Sequence, residues 1–590
     1  MGTVDRRLER PSLFGAPRFA TRGGRSHQVR GWAWTGCIAT AVMGAMLVAA
    51  CGSSPGGAGT KTGGTITYAL DEDVAGFNIL NATEDSGFTP GIMQQVWPSV
   101  YIVYPDLKPH LNTALVTSAK VTNTSPQTVV YQINPKATWS DGTPINAEDF
   151  IYNWQAQSGD SRYTDVGGQA FQPAATGGYS SIKSVTGSNG GKTATVVFAQ
   201  AFGDWQSLFG EMIPAHIAKR VGFNTGFAKF GPAVQVSGGP FMIQSYTQGQ
   251  DVVEVPNPHY WGSAAKLSKL VFRIITNDAQ QPVAAQSGEV NIVSPVLATV
   301  EFKDQLKSVP NFTIKTTPAL GFQLIDFNEG NYYLANADVR HAIAYGTNRE
   351  EIVKRAADPV EPNIKPLENR IHMPTQPYYK DTSGGYGAFD PSKAKQLLRQ
   401  AGMTMGSDGY FQPNSGPEKG QDLSFNISTT SGQPLRAQIE QLFQSEMKSV
   451  GVKINVQNYT ANTLFGTVMP KGEFDIAEYA WGSDAVTPAF FPSIYCSYGS
   501  SVCGSNYDRH SSSQLDQLLR SGVATLNPTQ AASDFNQADA LLWKDMVTLP
   551  LFENPDLLGW STKYANIEPD ARIGVTWNAQ DWAVKASTAS

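Results

Sequence analysis

The chain has 590 residues, of which 41% are hydrophobic, 16% charged and 11% aromatic, and a formal net charge of −6. At roughly one domain per 150 residues, that length allows about four domains or one large two-lobed fold. The balance excludes an intrinsically disordered chain, a polytopic membrane protein and a coiled coil; 56 glycines and 36 prolines without a fixed period exclude collagen-like and repeat architectures.

Charge is unevenly placed. The first 50 residues hold seven arginines (Arg6, Arg7, Arg10, Arg18, Arg22, Arg25 and Arg30), no lysine, and only Asp5 and Glu9 as acids. Taking seven from 44 and two from 50 leaves 37 basic and 48 acidic residues, a net charge of −11 for the rest. No excess of cations is left to neutralise phosphates, which argues against nucleic acid as a partner.

Trp32 to Ala50 is uncharged and runs into Val48-Ala49-Ala50-Cys51. A basic stretch, an apolar run and small residues at its exit are the parts of a secretory signal, so residues 1–50 are expected to direct export. Nineteen uncharged residues are also nearly enough to span a bilayer, so a permanent membrane helix is the competing reading. The small residues before Cys51 resemble a bacterial lipobox, which implies acylation of that thiol, with palmitate among the chains, and cleavage just before it. Two or more acyl chains, at about 0.8 kcal/mol per buried methylene, hold a protein stably on a membrane. Residues 51–64, rich in Gly, Ser, Thr and Pro, are expected to be a flexible tether.

Beyond the tether, Gly64–Leu70 alternates and is β-branched, as a strand entering the fold should be. Thr128–Ile133 is a second strand, and Trp139-Ser140-Asp141-Gly142-Thr143-Pro144 a turn in which Asp141 caps its neighbours beside a tryptophan plug. Asn146 caps a helix that carries Glu148 and Asp149 in its first turn. Further strands are expected at Thr193–Phe198, Asp251–Val255, Lys269–Ile275 and Lys453–Gln457. Further helices are expected at Ala337–Tyr345, Pro391–Ala401, Gln433–Val450 and Asp534–Met546, the last capped by Ser533. The alternation gives a mixed α/β protein.

Motifs for catalysis are scarce. Gly-x-Ser-x-Gly occurs only at Gly52–Gly56, inside the tether, where nothing orients a triad. Gly187-Ser188-Asn189-Gly190-Gly191-Lys192-Thr193 ends like a phosphate loop but has Thr186 in place of the first glycine and a strand after it, so it reads as a hairpin turn with a solvated lysine. Seven scattered histidines lack metal-ligand spacing, and no catalytic residue, metal or cofactor is expected. Six residues, Gly499 among them, separate Cys496 and Cys503; an exported compartment favours a disulfide between them, with a metal site that includes His510 as the rival.

Four segments in order carry a family resemblance: Ala137–Phe150, Ser237-Gly238-Gly239-Pro240-Phe241-Met242-Ile243, Val255-Pro256-Asn257-Pro258-His259-Tyr260-Trp261, and Phe474–Asp484. They resemble the extracytoplasmic solute-binding proteins of peptide/opine/nickel ABC importers, over about residues 64–560, in the oligopeptide/dipeptide-binding lipoprotein form of actinobacterial type. The first three segments are expected to be structural; the two glycines would supply a backbone conformation that side chains forbid.

The resemblance implies a two-lobed clamshell of type II. Lobe one would be residues 65–100, 237–324 and 550–590, with an extra subdomain at 101–236, and lobe two would be 325–549. The hinge would lie near Phe322–Asn328 and Thr548–Phe552. The resemblance further implies an oligopeptide or related amine-bearing solute, delivered to a permease whose partner ATPase hydrolyses ATP. Asp484, three residues after Trp481, would pair with the ligand's ammonium group, with Gly482 and Ser483 beside it and Trp481 as a wall. Relatives that hold tripeptides carry an arginine at the position of Glu478, so short peptides with a free carboxylate are disfavoured. Arg436 lies near a position used for longer peptides, and Glu84 near that of an N-terminal ligand-contacting acid. A lipoprotein of the same fold that has lost transport and acts as a regulator or scaffold in cell-envelope biosynthesis is the alternative.

Overall fold

The computed structural model of the protein describes residues 59–84, 88–482, 490–500, 503–570 and 572–586. The export signal, Cys51, Ser483 and Asp484 lie outside the described residues. The chain is already paired at Thr60–Lys61, which lies beside Ala583–Lys585, the central strand of a small three-stranded sheet. The expected tether therefore gives way to ordered chain before residue 64, because Gly63 and Gly64 turn it at φ of 101° and 87° into the strand Thr65–Leu70.

Ten strands form one mixed sheet. Its spatial order is Lys453–Val456, Ser424–Ser428, Ile476–Trp481, Phe312–Phe327, Thr548–Ser561, Ile292–Val293, Thr65–Leu70, Lys269–Ile274, Asp251–Pro256 and Phe241–Thr247. The two long members, Phe312–Phe327 and Thr548–Ser561, pair antiparallel and link two regions with separate cores. One region packs around Ile66, Trp97, Trp139, Phe241 and Trp582; the other around Phe327, Phe443, Trp543 and Leu551. The ladder between the long strands breaks its register between Pro318 and Phe322 and again between Gln323 and Leu324. That break sits at the start of the segment expected to act as a hinge.

Residues 116–198 add a four-stranded antiparallel sheet, Val116–Thr124, Gln127–Ile133, Thr193–Phe198 and Ile182–Ser188. Its inner face shares the first core without interruption, since Tyr131, Phe150 and Phe198 join the same cluster as Ile66 and Phe241. The helix Ala147–Gln157 behind it starts in a capping box: Asn146 Oδ1 accepts from the Glu148 amide at 2.8 Å and Asp149 Oδ2 accepts from the Asn146 amide at 2.9 Å.

Three sequence expectations are corrected. The helix expected from Asp534 begins at Pro528, because Asn527 accepts from the amides of Thr529 and Gln530 and Pro528 is preset for a first turn; Ser533 lies inside it rather than capping it. Lys192 does form the hairpin turn but is half-buried rather than freely solvated: its Nζ donates to the carbonyls of Ile145 at 2.7 Å, Ala137 at 3.2 Å and Asn134 at 3.3 Å. Gly238 and Gly239 do not adopt positive φ. Glycine is required at 239 by close approach, since a Cβ there would lie 2.2 Å from the carbonyl oxygen of Gln95.

Candidate functional site

A cavity of about 1250 Å³ opens between the two cored regions. From the first region its walls take Tyr101, Trp205, Tyr260 and Trp261; from the second, Tyr378, Phe490 and Phe535; Trp577 closes in from the C-terminal segment. The volume exceeds the roughly 300–1,000 Å³ common for drug-sized ligands. Large, weakly polar rings with few rotatable bonds give much contact area at little entropic cost.

Three of the family segments meet in a knot behind this wall. The Ser140 amide donates to Ser237 O at 2.7 Å, and Ser140 Oγ accepts from the Ser237 amide at 3.0 Å. Asn257 closes the knot: its amide donates to Pro240 O at 2.9 Å and its side-chain nitrogen to Gly239 O at 3.0 Å. Trp139 is fully buried there, its Nε1 donating to Asp149 at 3.3 Å. The tryptophan plug expected from sequence is therefore in place, and Asp141 accepts from the Thr143 amide at 3.0 Å as a turn-capping acid should. The outer face of the same knot, however, is cavity wall. Gly238, Gly239, Pro240, Tyr260 and Trp261 all line it, so these segments are not structural alone. Trp261 is held in that position by its Nε1, which donates to Ala114 O at 2.6 Å.

Charge on the wall is sparse and largely matched. Arg572 reaches the cavity, yet its Nε and Nη2 hold Asp570 at 2.9 and 2.6 Å and Nη2 also donates to Pro105 O at 3.2 Å. Behind it on the long strand, burial raises Glu553 to about 8 against the opposing pull of Arg572, and burial with the nearby Asp570 raises Asp556 to about 7. His372, also on the wall, is pushed down to about 4 by burial, so its ring is neutral at pH 7 and presents an aromatic surface beside Phe535.

The residues singled out from sequence divide. Trp481 does not reach the described wall; it stands one layer behind, edge-on to the cavity residue Phe490 at 5.8 Å and stacked on Tyr507 at 6.0 Å. Gly482 is the last described residue before the segment that holds Ser483 and Asp484, and Phe490 is the first after it. Glu478 and Arg436 are brought together, with Nε 4.0 Å from Oε2, but in the interior of the second region. Glu478 is fully buried and accepts from Thr429 Oγ1 at 2.9 Å; burial lifts it to about 7 against the opposing pull of Arg436.

Glu84 is likewise buried away from the described wall. It accepts from the Asn78 amide at 2.9 Å and so fastens its own loop, while burial raises it to about 7. Cys496 and Cys503 form a disulfide with Cα atoms 5.6 Å apart. Among the described residues no group of three or more His, Cys, Asp or Glu is placed to hold a metal ion, and no helix is long and apolar enough to cross a membrane.

Residues 110–501 match the family described as bacterial extracellular solute-binding proteins, family 5, middle region. The chain belongs to that family. It is 29% identical over 513 residues to the oligopeptide-binding protein OppA of Mycobacterium tuberculosis strain H37Rv, covering 86% of this chain and 82% of that protein. Among solved structures it resembles the periplasmic EDTA-binding protein EppA, with 26% identity and a TM-score of 0.82, covering 90% of this chain and 98% of EppA. The oligopeptide-binding protein AppA of Bacillus subtilis, in complex with a nonapeptide, shares the fold at 19% identity and a TM-score of 0.73, covering 90% of this chain and 100% of AppA. The fold is the mixed α/β, two-lobed type II form of extracytoplasmic binding proteins, and members of this family bind solutes for ABC importers rather than transform them.

Proposed function

We propose that this family 5 protein captures oligopeptides, or solutes of similar size bearing an amine, in the cavity between its two regions and delivers them to an ABC permease driven by a separate ATPase. The observation that carries this reading is the cavity itself: about 1250 Å³, faced with aromatic side chains from both sides and nearly free of unmatched charge on its described wall. A space of that size and character suits an extended chain of varied side chains better than a single small ion. Similarity to OppA of M. tuberculosis over most of both chains supports the same solute class.

In this reading, residues 65–100, 237–324 and 550–590 form lobe one, 101–236 its added subdomain and 325–549 lobe two. The broken ladder between Pro318 and Leu324 absorbs the rotation as the lobes close. Asp484 supplies the counter-charge for the ligand ammonium, with Ser483 and Gly482 beside it and Trp481 backing that segment; Glu478, Arg436 and Glu84 support the walls from behind. Cys51 carries the lipid that keeps the protein at the outer face of the cell membrane.

Small molecules released by denaturing protein purified from its native host should include peptides when analysed by mass spectrometry. Release of only non-peptide solutes would overturn the solute class. Asp484→Asn should weaken binding of peptides with a free amino terminus while leaving amino-blocked peptides unaffected; equal affinities for both variants would remove Asp484 from the site. Replacing Cys51 by Ala should release the protein from membranes or leave it as an uncleaved precursor of higher mass; a variant with the same mass and the same membrane retention as wild type would count against a lipid on Cys51.

A further inference from the structure

Two short segments from opposite sides of the cavity touch backbone to backbone. The Gly203 amide donates to the carbonyl of Val523 at 2.7 Å, a contact made entirely by protein groups. Gly203 belongs to the region built on the first core and Val523 to the helix Ser513–Ala524 of the second. The side chain of Val523 packs against the first core and against a separate cluster of the second region that holds Leu515, Leu519 and Phe535.

Each half of the contact is held rigidly by its own side. Gln127 is buried and grips Phe202 twice: its Oε1 accepts from the Phe202 amide at 2.7 Å and its Nε2 donates to Phe202 O at 3.0 Å. Opposite, the Thr525 amide closes the end of its helix on Ser521 O at 3.1 Å, and Thr525 Oγ1 accepts from the Asn527 amide at 3.3 Å at the entry to the next helix. Between these two fixtures there is room only for a glycine. A Cβ at 203 would lie 2.3 Å from Thr525 O, a backbone atom that cannot swing aside, although the φ of Gly203 is not in the left-handed region. Phe202, Gly203, Trp205, Gly522, Thr525 and Leu526 all line the cavity, so this contact is part of its wall.

We propose that Gly203 and the Val523–Thr525 turn form a clasp that holds a closed population of the protein without help from solute, and that glycine at 203 is the positioning residue that permits it. The clasp rests on the two-lobed fold of the family and not on which solute is bound. Because ligand can only shift an existing equilibrium, a ligand-independent closing contact lowers the cost of closure for every solute.

Distances between nitroxide labels introduced as non-canonical amino acids at the exposed positions 183 and 441 test this in the full-length protein, without added solute. Wild type should show a short-distance population that both Gly203→Ala and Gly203→Val reduce by at least about fivefold, the size expected for losing one such hydrogen bond. Identical distributions in wild type and Gly203→Val, whether all short or all long, would overturn the proposal. If Gly203→Val does not fold, Val523→Ala keeps every backbone bond while losing the side-chain packing that joins the first core to the Leu515, Leu519 and Phe535 cluster, and it must reduce the short population; an unchanged population would overturn the proposal equally.

Discussion

Arg370 in the second region and Glu254 in the first are both fully buried ionisable side chains, yet the two sites are built oppositely. Arg370 Nε donates to Thr548 Oγ1 at 2.9 Å, Nη1 to Asp539 Oδ1 at 3.2 Å and Nη2 to Thr548 O, while its guanidinium lies 4.4 Å from the ring of Trp543. Asp539 is equally buried and also accepts from the Arg370 amide at 3.0 Å and from Thr382 Oγ1. Glu254 sits on the strand Asp251–Pro256 with neither carboxylate oxygen hydrogen-bonded among the described residues, and burial raises it well above the ordinary carboxylate range. A paired interior charge fastens chain segments far apart in sequence, here residues 370, 382, 539 and 548. An unpaired one must stay protonated, and the region around it becomes sensitive to pH.

The largest expected effect comes from breaking the satisfied site. Asp539→Ala leaves a buried guanidinium without its counter-charge and should cost about 3–5 kcal/mol in urea unfolding. A loss below about 1 kcal/mol would mean that the network is dispensable.

Glu254 gives the next effect, and its sign is opposite. The folded state holds the protonated acid, whereas the unfolded chain releases that proton above the ordinary value of 4.5. Stability linked to Glu254 is therefore full below about pH 4.5 and declines as pH rises toward the folded-state value. Glu254→Gln should raise stability at pH 8 and leave it nearly unchanged at pH 4; equal changes at both pH values would show that titration of Glu254 is not the cause.

Thr548→Val removes one acceptor from Arg370 while keeping side-chain shape, and should cost about 1 kcal/mol by thermal unfolding. Smallest of all is the exposed pair of Lys219 and Glu148, at 2.9 Å, whose coupling in a double-mutant cycle should lie within about 0.5 kcal/mol and fade in high salt. A coupling as large as that of Arg370 and Asp539 would erase the distinction between interior and surface.

Much of the frame was readable in the sequence because local chemistry decides it. Asn146 with Asp149 three residues on spells a capping box, and alternation in Thr65–Leu70 and Thr193–Phe198 spells strands. The family segments were readable for the same reason. What they do was less so: the role of Gly239 depends on Gln95, distant in sequence, and the solvent exposure of Lys192 on carbonyls of a neighbouring loop. The described cavity wall escaped sequence reasoning most completely. Tyr101, Trp205, Phe535 and Trp577 come from four unconnected stretches and share no spacing, so only the fold brings them together. Glu478 and Glu84 looked available because single residues carry no signal of burial.

The central claim, that this cavity takes up oligopeptides, is tested most directly by native mass spectrometry of the protein mixed with an equimolar pool of synthetic di- to nonapeptides. The account predicts peptide adducts on the wild-type protein and their loss when Trp205 and Tyr260 are both replaced by Ala. No adducts on the wild type, or equal adducts on both proteins, would contradict it.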